Sequence, residues 1–386
     1  MHDARQKTAF RRYCGLQRPN IRGSRLRILS LCCRNYRNLQ DVSFFPQPGV
    51  NVIWGQNAQG KTNLLEAVWL FTGGHSFRGT KDSELVQHGS SGARLQLRFY
   101  SQEREQSAEI FLENSRRRAE LNGVALRSPG RLVGHIHAVV FSPEHLSLVR
   151  EGPANRRNFL DAALCQLKPS YVHLLNRYQR TLSQRNALLK DIPRHRELED
   201  TLPIWDTKLA ADGTRIVAER KSYLKLLACT ATSVYSGLSH GKETLRLSYS
   251  CTADDLGAAL QKGRLRDIRQ GFTGEGPHRD DMEILLDNAS ARSCASQGQK
   301  RSIVLALKLA EASTLGKSTG ETPIILLDDV LSELDSSRQD YLLNHLSKCQ
   351  VFITCCEPAQ TQILQSGGLF RAENGMIKPE QPNKVS

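Results

Sequence analysis

The segment NVIWGQNAQGKTN at 51–63 constrains the fold of this chain more than any other stretch. Residues 50–54 have the composition of a strand, and the motif G-x-x-x-x-G-K-T at 55–62 follows and opens a helical pattern. In such a loop the backbone N–H groups surround a phosphate, a lysine neutralises it and a hydroxyl ligates Mg²⁺. The sequence therefore predicts an α/β core that binds phosphate through Lys61 and Mg²⁺ through Thr62. The alternative is a plain glycine turn between a strand and a helix.

A second motif supplies the carboxylates that the first one lacks. The run PIILL at 323–327 reads as a buried strand and ends in Asp328 and Asp329. A hydrophobic strand that ends in an acid is the Walker-B pattern, so Asp328 is predicted to share the Mg²⁺ with Thr62. Asp329 is placed to orient or deprotonate an attacking water.

The spacing of the motifs indicates a subclass. Lys61 and Asp328 lie 267 positions apart, more than a compact P-loop GTPase or RecA-like core needs. The sequence SQGQK at 296–300 precedes a helical pattern between them. This order resembles the ATP-binding-cassette (ABC) ATPases, in which the S-x-G-Q turn contacts the γ-phosphate held by a second copy. Ser296 and the N-terminus of its helix then form a second anion site, although a lone SQGQ can also be a simple helix cap.

The net charge favours an anionic partner. The chain has 53 Lys and Arg against 39 Asp and Glu, a net charge of +14, which is typical of proteins that bind nucleic acid. The ten cysteines include no C-x-x-C spacing, which predicts reduced thiols in a cytosolic protein. No apolar run approaches 18 residues, so we expect no membrane span.

The chain divides into four predicted parts. Residues 1–24 are basic and are predicted to be a disordered extension; 25–150 hold the P-loop and an antiparallel β meander. Residues 151–242 show long helical patterns and are predicted to be an inserted helical lobe, and 243–386 return to the core with the SQGQ turn and Walker B. Two readings of the basic helical-lobe residues stay open, a DNA-facing surface or solvated helix faces: Arg177, Arg180, Arg185, Arg194, Arg196, Lys208, Arg215, Arg220 and Lys221.

Eight ordered motifs together resemble one family, the RecF family of bacterial recombination-repair ATPases related to SMC and Rad50. They run from the first predicted strand to the segment after Walker B. In order they are CRNYRNL at 33–39, GQNAQGKTNLLEA at 55–67, HSFR at 75–78, FSPEHLSLV at 141–149, GPANRRNFLD at 152–161, GPHRDD at 276–281, SQGQKRS at 296–302 and LLDDVLSELD at 326–335.

The resemblance implies a fold class and a set of site residues. The fold is α/β, an ABC-type ATPase head with a mixed central sheet, an antiparallel β lobe and an inserted helical lobe. The cofactors are ATP and Mg²⁺; Asp329 and Lys61 are catalytic, and Thr62 and Asp328 hold the metal. The nucleotide-binding residues are Gly55, Gln56, Asn57, Ala58, Gln59, Gly60, Lys61, Thr62 and Asn63 of the P-loop, Arg34 and Asn35 of the flanking strand, and Ser296, Gly298 and Gln299 acting in trans.

The resemblance also implies a function: ATP-dependent homodimerisation, binding of duplex, gapped or junction DNA, slow hydrolysis, and work with RecO and RecR in loading RecA at single-strand gaps, in the cytoplasm and on the nucleoid. Two alternatives remain, an ATP-binding DNA scaffold with negligible turnover and a transporter-type ABC subunit. An OLD-type nuclease needs an acidic catalytic domain, for which the short stretch after Asp335 leaves no room. Two departures from ABC ATPases stand out, Asp329 in place of Glu, and FITCCEP at 352–358 in place of a switch histidine.

Overall fold

The computed structural model describes residues 25–113, 116–357 and 367–380. The predicted extension 1–24 lies outside them. The strands in chain order are β1 Arg27–Tyr36, β2 Leu39–Phe44, β3 Val50–Trp54, β4 Gly92–Ser101, β5 Arg104–Glu113, β6 Arg116–Leu121, β7 Val124–Ala125, β8 Ala138–Phe141, β9 Leu245–Ser250, β10 Asp281–Leu286, β11 Ala289–Ser290, β12 Ile324–Asp328, β13 Val351–Cys355, β14 Gly367–Glu373 and β15 Met376–Glu380.

The helices of the same residues connect these strands. They are α1 Lys61–Leu70, α2 Ser147–Arg150, α3 Pro153–Leu167, α4 Pro169–Asp191, α5 Leu202–Leu238, α6 Leu256–Gln270, α7 Ala291–Cys294, α8 Gln297–Thr319 and α9 Ser336–His345.

A mixed sheet forms the centre of the molecule, in the order β15-β14-β3-β13-β12-β8. Its strands β14, β3, β13, β12 and β8 run parallel, and β15 is antiparallel to β14. The P-loop strand β3 therefore lies between two strands from the far end of the chain, with Val50 opposite both Val351 and Gly367. An antiparallel sheet in the order β2-β1-β4-β5-β6-β7 covers one face, as the predicted meander requires.

The sequence of β12 explains its central position. Ile324 and Leu326 pack in the core shared with the antiparallel sheet, and Ile325 and Leu327 pack in the core shared with the helices. Because successive strand side chains point to opposite faces, a strand buried on both faces needs a continuous apolar run. The run ends at Asp328, where the chain reaches the carboxyl edge of the sheet.

The helical lobe is built mainly from α3, α4 and the 37-residue helix α5. The helix α6, which the sequence division assigns to the C-terminal part of the core, packs against α4 and α5. Its N-cap is Asp255, whose side chain accepts a hydrogen bond from the Ala258 N–H, and its C-cap is Gly271, in the left-handed region with φ 71°. The domain division at 150 and 242 stays a prediction.

Two basic residues of the lobe are structural. Arg185 is fully buried and contacts Asp206 at 2.7 Å and Asp267 at 2.8 Å. Arg220 is buried against Asp161 at 2.8 Å. The DNA-facing reading therefore does not apply to these two, because a buried guanidinium paired with carboxylates cannot reach a phosphate backbone.

Two arginines of GPANRRNFLD tie the lobe to the strand β10. Arg156 is buried, and its guanidinium donates to both Asp281 oxygens at 2.7 and 2.8 Å and to the carbonyl oxygens of Leu148 and Glu151. Arg157 donates to the backbone carbonyl of Asp280 at 2.8 Å. These contacts join α3 to the GPHRDD segment.

Candidate nucleotide site

Two glycines give the P-loop its shape. Gly55 ends β3 with φ 153°, and a Cβ there would lie 2.3 Å from the carbonyl oxygen of Ala372 on β14. Gly60 takes φ 100° immediately before α1, a left-handed conformation that side chains disfavour. Any larger residue at Gly55 would push the loop away from β14, so the glycine spacing of the motif has a steric cause here.

Lys61 folds back over this loop. Its side chain is 7% exposed, and its ammonium donates to the carbonyl oxygens of Gly55 at 2.5 Å and Gln56 at 2.9 Å. The Cys356 sulfur lies 3.7 Å from the same nitrogen. Within the described residues no carboxylate pairs with this ammonium, so it is available to a phosphate at the N-terminus of α1.

Thr62 meets the Walker-B strand. Its hydroxyl donates to Asp328 Oδ1 at 2.8 Å, and the Thr354 hydroxyl donates to the same oxygen at 2.9 Å. Burial raises the pKa of Asp328, the two hydroxyl bonds oppose this rise, and the neighbouring Asp329 adds to it. A hydroxyl beside a carboxylate is a donor set that Mg²⁺ prefers, so the predicted pair of metal ligands is in contact.

Asp329 takes a left-handed backbone conformation with φ 53°, which turns the chain away from β12. Its N–H donates to the Thr354 hydroxyl at 3.0 Å, and its carbonyl accepts from the Ser332 hydroxyl at 2.8 Å. Thr354 thus bonds to both acids and fixes Asp329 beside the predicted metal ligands. The predicted catalytic carboxylate lines the same cavity as Lys61.

The cavity has a volume of about 920 Å³. It contains the P-loop from Asn57 to Asn63 together with both Walker-B acids. Other residues that the sequence analysis did not assign to the site also line it, among them Arg37, Asn38 and Arg78. Their signal was present in the sequence, because they belong to the motifs CRNYRNL and HSFR.

The predicted pair Arg34 and Asn35 does not line this cavity. Arg34 is exposed on β1, 3.8 Å from Asp41, and the carbonyl of Asn35 accepts from the Gln87 N–H. The chain turns at Arg37, which has φ 51°, and so Arg37 and Asn38 face the P-loop instead. Nucleotide contact by Arg34 and Asn35 stays a prediction without support from this geometry.

A buried carboxylate on α1 holds Arg37. Glu66 is fully buried and accepts from the Tyr36 hydroxyl at 2.9 Å, from Arg37 at 2.5 and 2.8 Å, and from the Ser76 hydroxyl at 2.5 Å. Arg37 also donates to Thr80 at 2.7 Å. One helix face therefore anchors both the turn after β1 and the HSFR segment around the cavity.

The SQGQ turn lies elsewhere on the molecule. Ser296 is the exposed N-cap of α8: its hydroxyl accepts from the Gln299 N–H at 3.2 Å, and the Gln299 side chain accepts from the Ser296 N–H at 2.6 Å. Neither residue, nor Gly298, lines the cavity of Lys61. The structure therefore brings together the P-loop and Walker B, and it leaves the S-x-G-Q residues on a separate surface of the same chain.

The donor set fits a nucleotide with its metal. The first N–H groups of α1 have no partner within the helix, the Lys61 ammonium is free of carboxylates in the described residues, and Thr62 adjoins Asp328. A triphosphate would bind Lys61 and these N–H groups, and Mg²⁺ would bind Thr62 and Asp328. Arg37, Asn38 and Arg78 line the same cavity.

Most of the chain is similar to one group of proteins. The model of the RecF/RecN/SMC N-terminal domain matches residues 27–378. The DNA replication and repair protein RecF of Acetivibrio thermocellus is 41% identical over 337 residues, 84% of this chain and 91% of the relative. The same protein of Ruminiclostridium cellulolyticum is 37% identical over 365 residues, 91% and 97% of the two chains. The chain belongs to the RecF family.

Solved structures agree with this assignment. The structure of the recombination mediator protein RecF-ATP in the RecFOR pathway superposes with a TM-score of 0.87 at 35% identity and covers 94% of this chain and 100% of that one. The Smc head domain of Pyrococcus furiosus, solved with the C-terminal domain of ScpA, gives 0.54 at 15% identity over 92% and 96%, which shows the fold alone. The predicted fold class, an ABC-type ATPase head with an inserted helical lobe, is confirmed.

Among the helices of the described residues, none combines the length and the hydropathy that a membrane span requires.

Proposed function

We propose that two copies of this chain bind ATP and Mg²⁺ between them and close on duplex DNA. One copy supplies Lys61, Thr62, Asp328 and Asp329, and the other covers the γ-phosphate with Ser296. The observation that carries the proposal is the separation of the S-x-G-Q turn from the cavity within one chain. Because each chain holds one incomplete half of the site, two copies are needed to build two complete ones.

Hydrolysis in this arrangement is slow and stimulated by DNA. Asp329 orients the attacking water, and its side chain is one methylene shorter than the glutamate of most ABC ATPases, so it holds the water less well. Such a site acts as a switch whose closed state lasts until hydrolysis. The +14 net charge supports an anionic partner, and phosphate contacts make the binding strongly dependent on salt.

The names of the relatives support a pathway role. The similar structures carry the name recombination mediator protein in the RecFOR pathway, which supports work with RecO and RecR at gapped DNA or at junctions of single and double strands. In this role the chain helps to load RecA at single-strand gaps. The curated relatives are named for DNA replication and repair.

Ser296→Arg tests the shared site. The variant is expected to bind ATP as a monomer with the affinity of the parent, because Ser296 is outside the cavity, and to lose ATP-dependent dimerisation, since a guanidinium on the exposed cap blocks close approach. Sedimentation with and without ATP measures the change. Unchanged dimerisation in this variant would overturn the in-trans role of the turn.

Asp329→Asn separates the switch from a non-hydrolysing scaffold. The amide keeps the shape of the side chain but is a poor base, so DNA-stimulated turnover should be lost while ATP-dependent dimers persist. If the parent protein shows no turnover that duplex DNA increases, the scaffold alternative is the better description.

A further inference from the structure

The Gln299 side chain is held at both ends. Its amide oxygen accepts from the Ser296 N–H at 2.6 Å, and its amide nitrogen donates to Glu243 Oε1 at 2.6 Å. A helix cap alone uses only the first contact. The second contact fixes which way the amide faces, and Glu243 stands 56 positions earlier, in the connection between α5 and β9.

Glu243 is in turn anchored in the helical lobe. Its other oxygen, Oε2, accepts from the Tyr235 hydroxyl at 2.6 Å, and Tyr235 is 1% exposed on the last turns of α5. Burial and the bond to Glu243 raise the pKa of Tyr235, so it stays a donor at neutral pH. One carboxylate therefore joins a buried tyrosine to the SQGQ turn through two hydrogen bonds to a charged acceptor, the stronger kind.

The same end of α5 is held from a second side. The Tyr341 hydroxyl of α9 donates to the Val234 carbonyl at 3.2 Å, and a Cβ on Gly237 would lie 2.5 Å from that hydroxyl. The helix α9 begins just after Walker B, with Asp335 as its N-cap. The C-terminal end of α5, next to Glu243, is thus packed against α9, the helix that follows the Walker-B acids.

We propose that Glu243 is a positioning residue for the SQGQ turn: it fixes the Gln299 amide so that Ser296 is presented to the nucleotide of the second copy. The inference rests on the in-trans role of Ser296 proposed above. Glu243 touches no nucleotide; it acts through Gln299. The helix α5 has 37 residues and spans roughly 55 Å at about 1.5 Å per residue. The hydrogen bond between Gln299 and Glu243 therefore connects the SQGQ turn, through α5, to the far end of the helical lobe.

The test compares Glu243→Ala with Glu283→Ala in the full chain. Glu283 is a matched control, because it is an exposed glutamate on β10 that accepts one bond, from the Ser248 hydroxyl at 3.1 Å, and does not contact the SQGQ turn. Three quantities are measured: hydrogen exchange of a peptide covering 293–302 without ATP, ATP affinity of the monomer, and the kcat and KM of ATP hydrolysis.

Glu243→Ala is expected to speed exchange in the 293–302 peptide, to lower kcat about tenfold, the loss of one charge-assisted bond, and to leave KM and monomer ATP affinity unchanged. Glu243→Gln, which keeps one acceptor oxygen, should restore part of the kcat. Tyr235→Phe keeps the buried ring and should lower kcat in the same direction by less. Glu283→Ala should match the parent in every measurement.

Two outcomes overturn the inference. One is parent-like exchange in the 293–302 peptide of Glu243→Ala, and the other is a loss of kcat that Glu283→Ala shares. The exchange measurement uses the monomer without nucleotide, so its result does not depend on whether the protein dimerises. If the parent protein fails to dimerise with ATP, it is the proposed function that fails, whatever the exchange result.

Discussion

The Thr62 hydroxyl donates a hydrogen bond to Asp328, 266 positions further along the chain. The contact joins the start of α1 to the end of β12, and both elements flank β13, whose Thr354 bonds to the same carboxylate. The predicted metal-binding pair is therefore set by the helix α1 and by two neighbouring strands of the central sheet, β12 and β13, and not by the P-loop alone.

Replacing Lys61 by methionine should abolish ATP binding, ATP-dependent dimerisation and ATP-dependent DNA binding together. Methionine fills the buried space of the lysine stem, so the fold should persist. It cannot neutralise a phosphate, so nucleotide binding should be lost. Fluorescent-nucleotide titration, sedimentation and DNA electrophoretic shifts measure the three losses. Lys225→Met, on the exposed face of α5, is the control and should change none of them. Retained dimerisation in Lys61→Met would disconnect the dimer from nucleotide binding.

Asp328→Asn should lose Mg²⁺-dependent hydrolysis without loss of stability. Burial raises the pKa of this carboxylate above its ordinary value of 3.8. In the metal-free protein its ionisation therefore lowers the free energy of unfolding as the pH rises from 3.8 through the raised pKa. Asparagine removes this penalty and still accepts from both threonines, so the free energy of unfolding near pH 7 should stay the same or rise by up to ~1 kcal/mol. Urea unfolding at several pH values checks the sign, and a clear loss of stability at pH 7 would contradict it.

Arg156→Ala should lower the free energy of unfolding by about 3–5 kcal/mol, because it leaves Asp281 without its guanidinium partner. Arg118→Ala is the control; its exposed pair with Glu113 is worth about 0–1 kcal/mol. Urea denaturation measures both. A stable Arg156→Ala protein with weakened DNA binding would mean that the arginine serves DNA and not the junction of α3 with β10.

The alkylation rate of Cys356 should show whether nucleotide is bound next to it. The thiol is exposed and contacts the Lys61 ammonium at 3.7 Å and Asn57 Oδ1 at 3.2 Å, so bound ATP should slow its reaction with iodoacetamide at least ~10-fold by covering it. Cys229, exposed on α5, is an internal control whose rate should not change. Mass spectrometry of each peptide gives the rates, and equal rates with and without ATP at Cys356 would place the phosphates elsewhere.

The parts of the site that sequence predicted best are those with a local cause. Gly55 and Gly60 are required by backbone geometry, and the strand before Asp328 is apolar because both faces are buried, so pattern alone located them. The sequence did not indicate that Arg37 and Asn38 line the cavity, because the turn there depends on a non-glycine residue with φ 51°, which has no reliable sequence signal. The role of Glu243 was equally invisible, since a contact between residues 56 positions apart leaves no periodicity.

The bounds of the helices and strands also differ between features with a local cause and features that depend on tertiary contacts. The sequence pattern predicts two strands, Arg25–Leu39 and Val42–Phe45, and the chain makes two, β1 and β2, whose bounds are shifted because the chain turns at Arg37. It placed the α1 start at Lys61 correctly, because the P-loop motif fixes that position. The strands β14 and β15 were not predicted; β14 pairs with β3 and β15 with β14, through tertiary contacts that the local sequence pattern does not encode.

The position of β3 between β13 and β14 has a consequence for how the protein is made. A ribosome that adds about 5–20 residues per second needs roughly 15–60 s after completing β3 before it has synthesised β13. During that time the strands of the antiparallel sheet can pair with one another. The apolar strand β3 has no neighbouring strand, so it can be bound by chaperones or can aggregate. The nucleotide pocket is therefore among the last parts of the nascent chain to form, and a chain cut before residue 324 would carry the whole P-loop motif without a pocket.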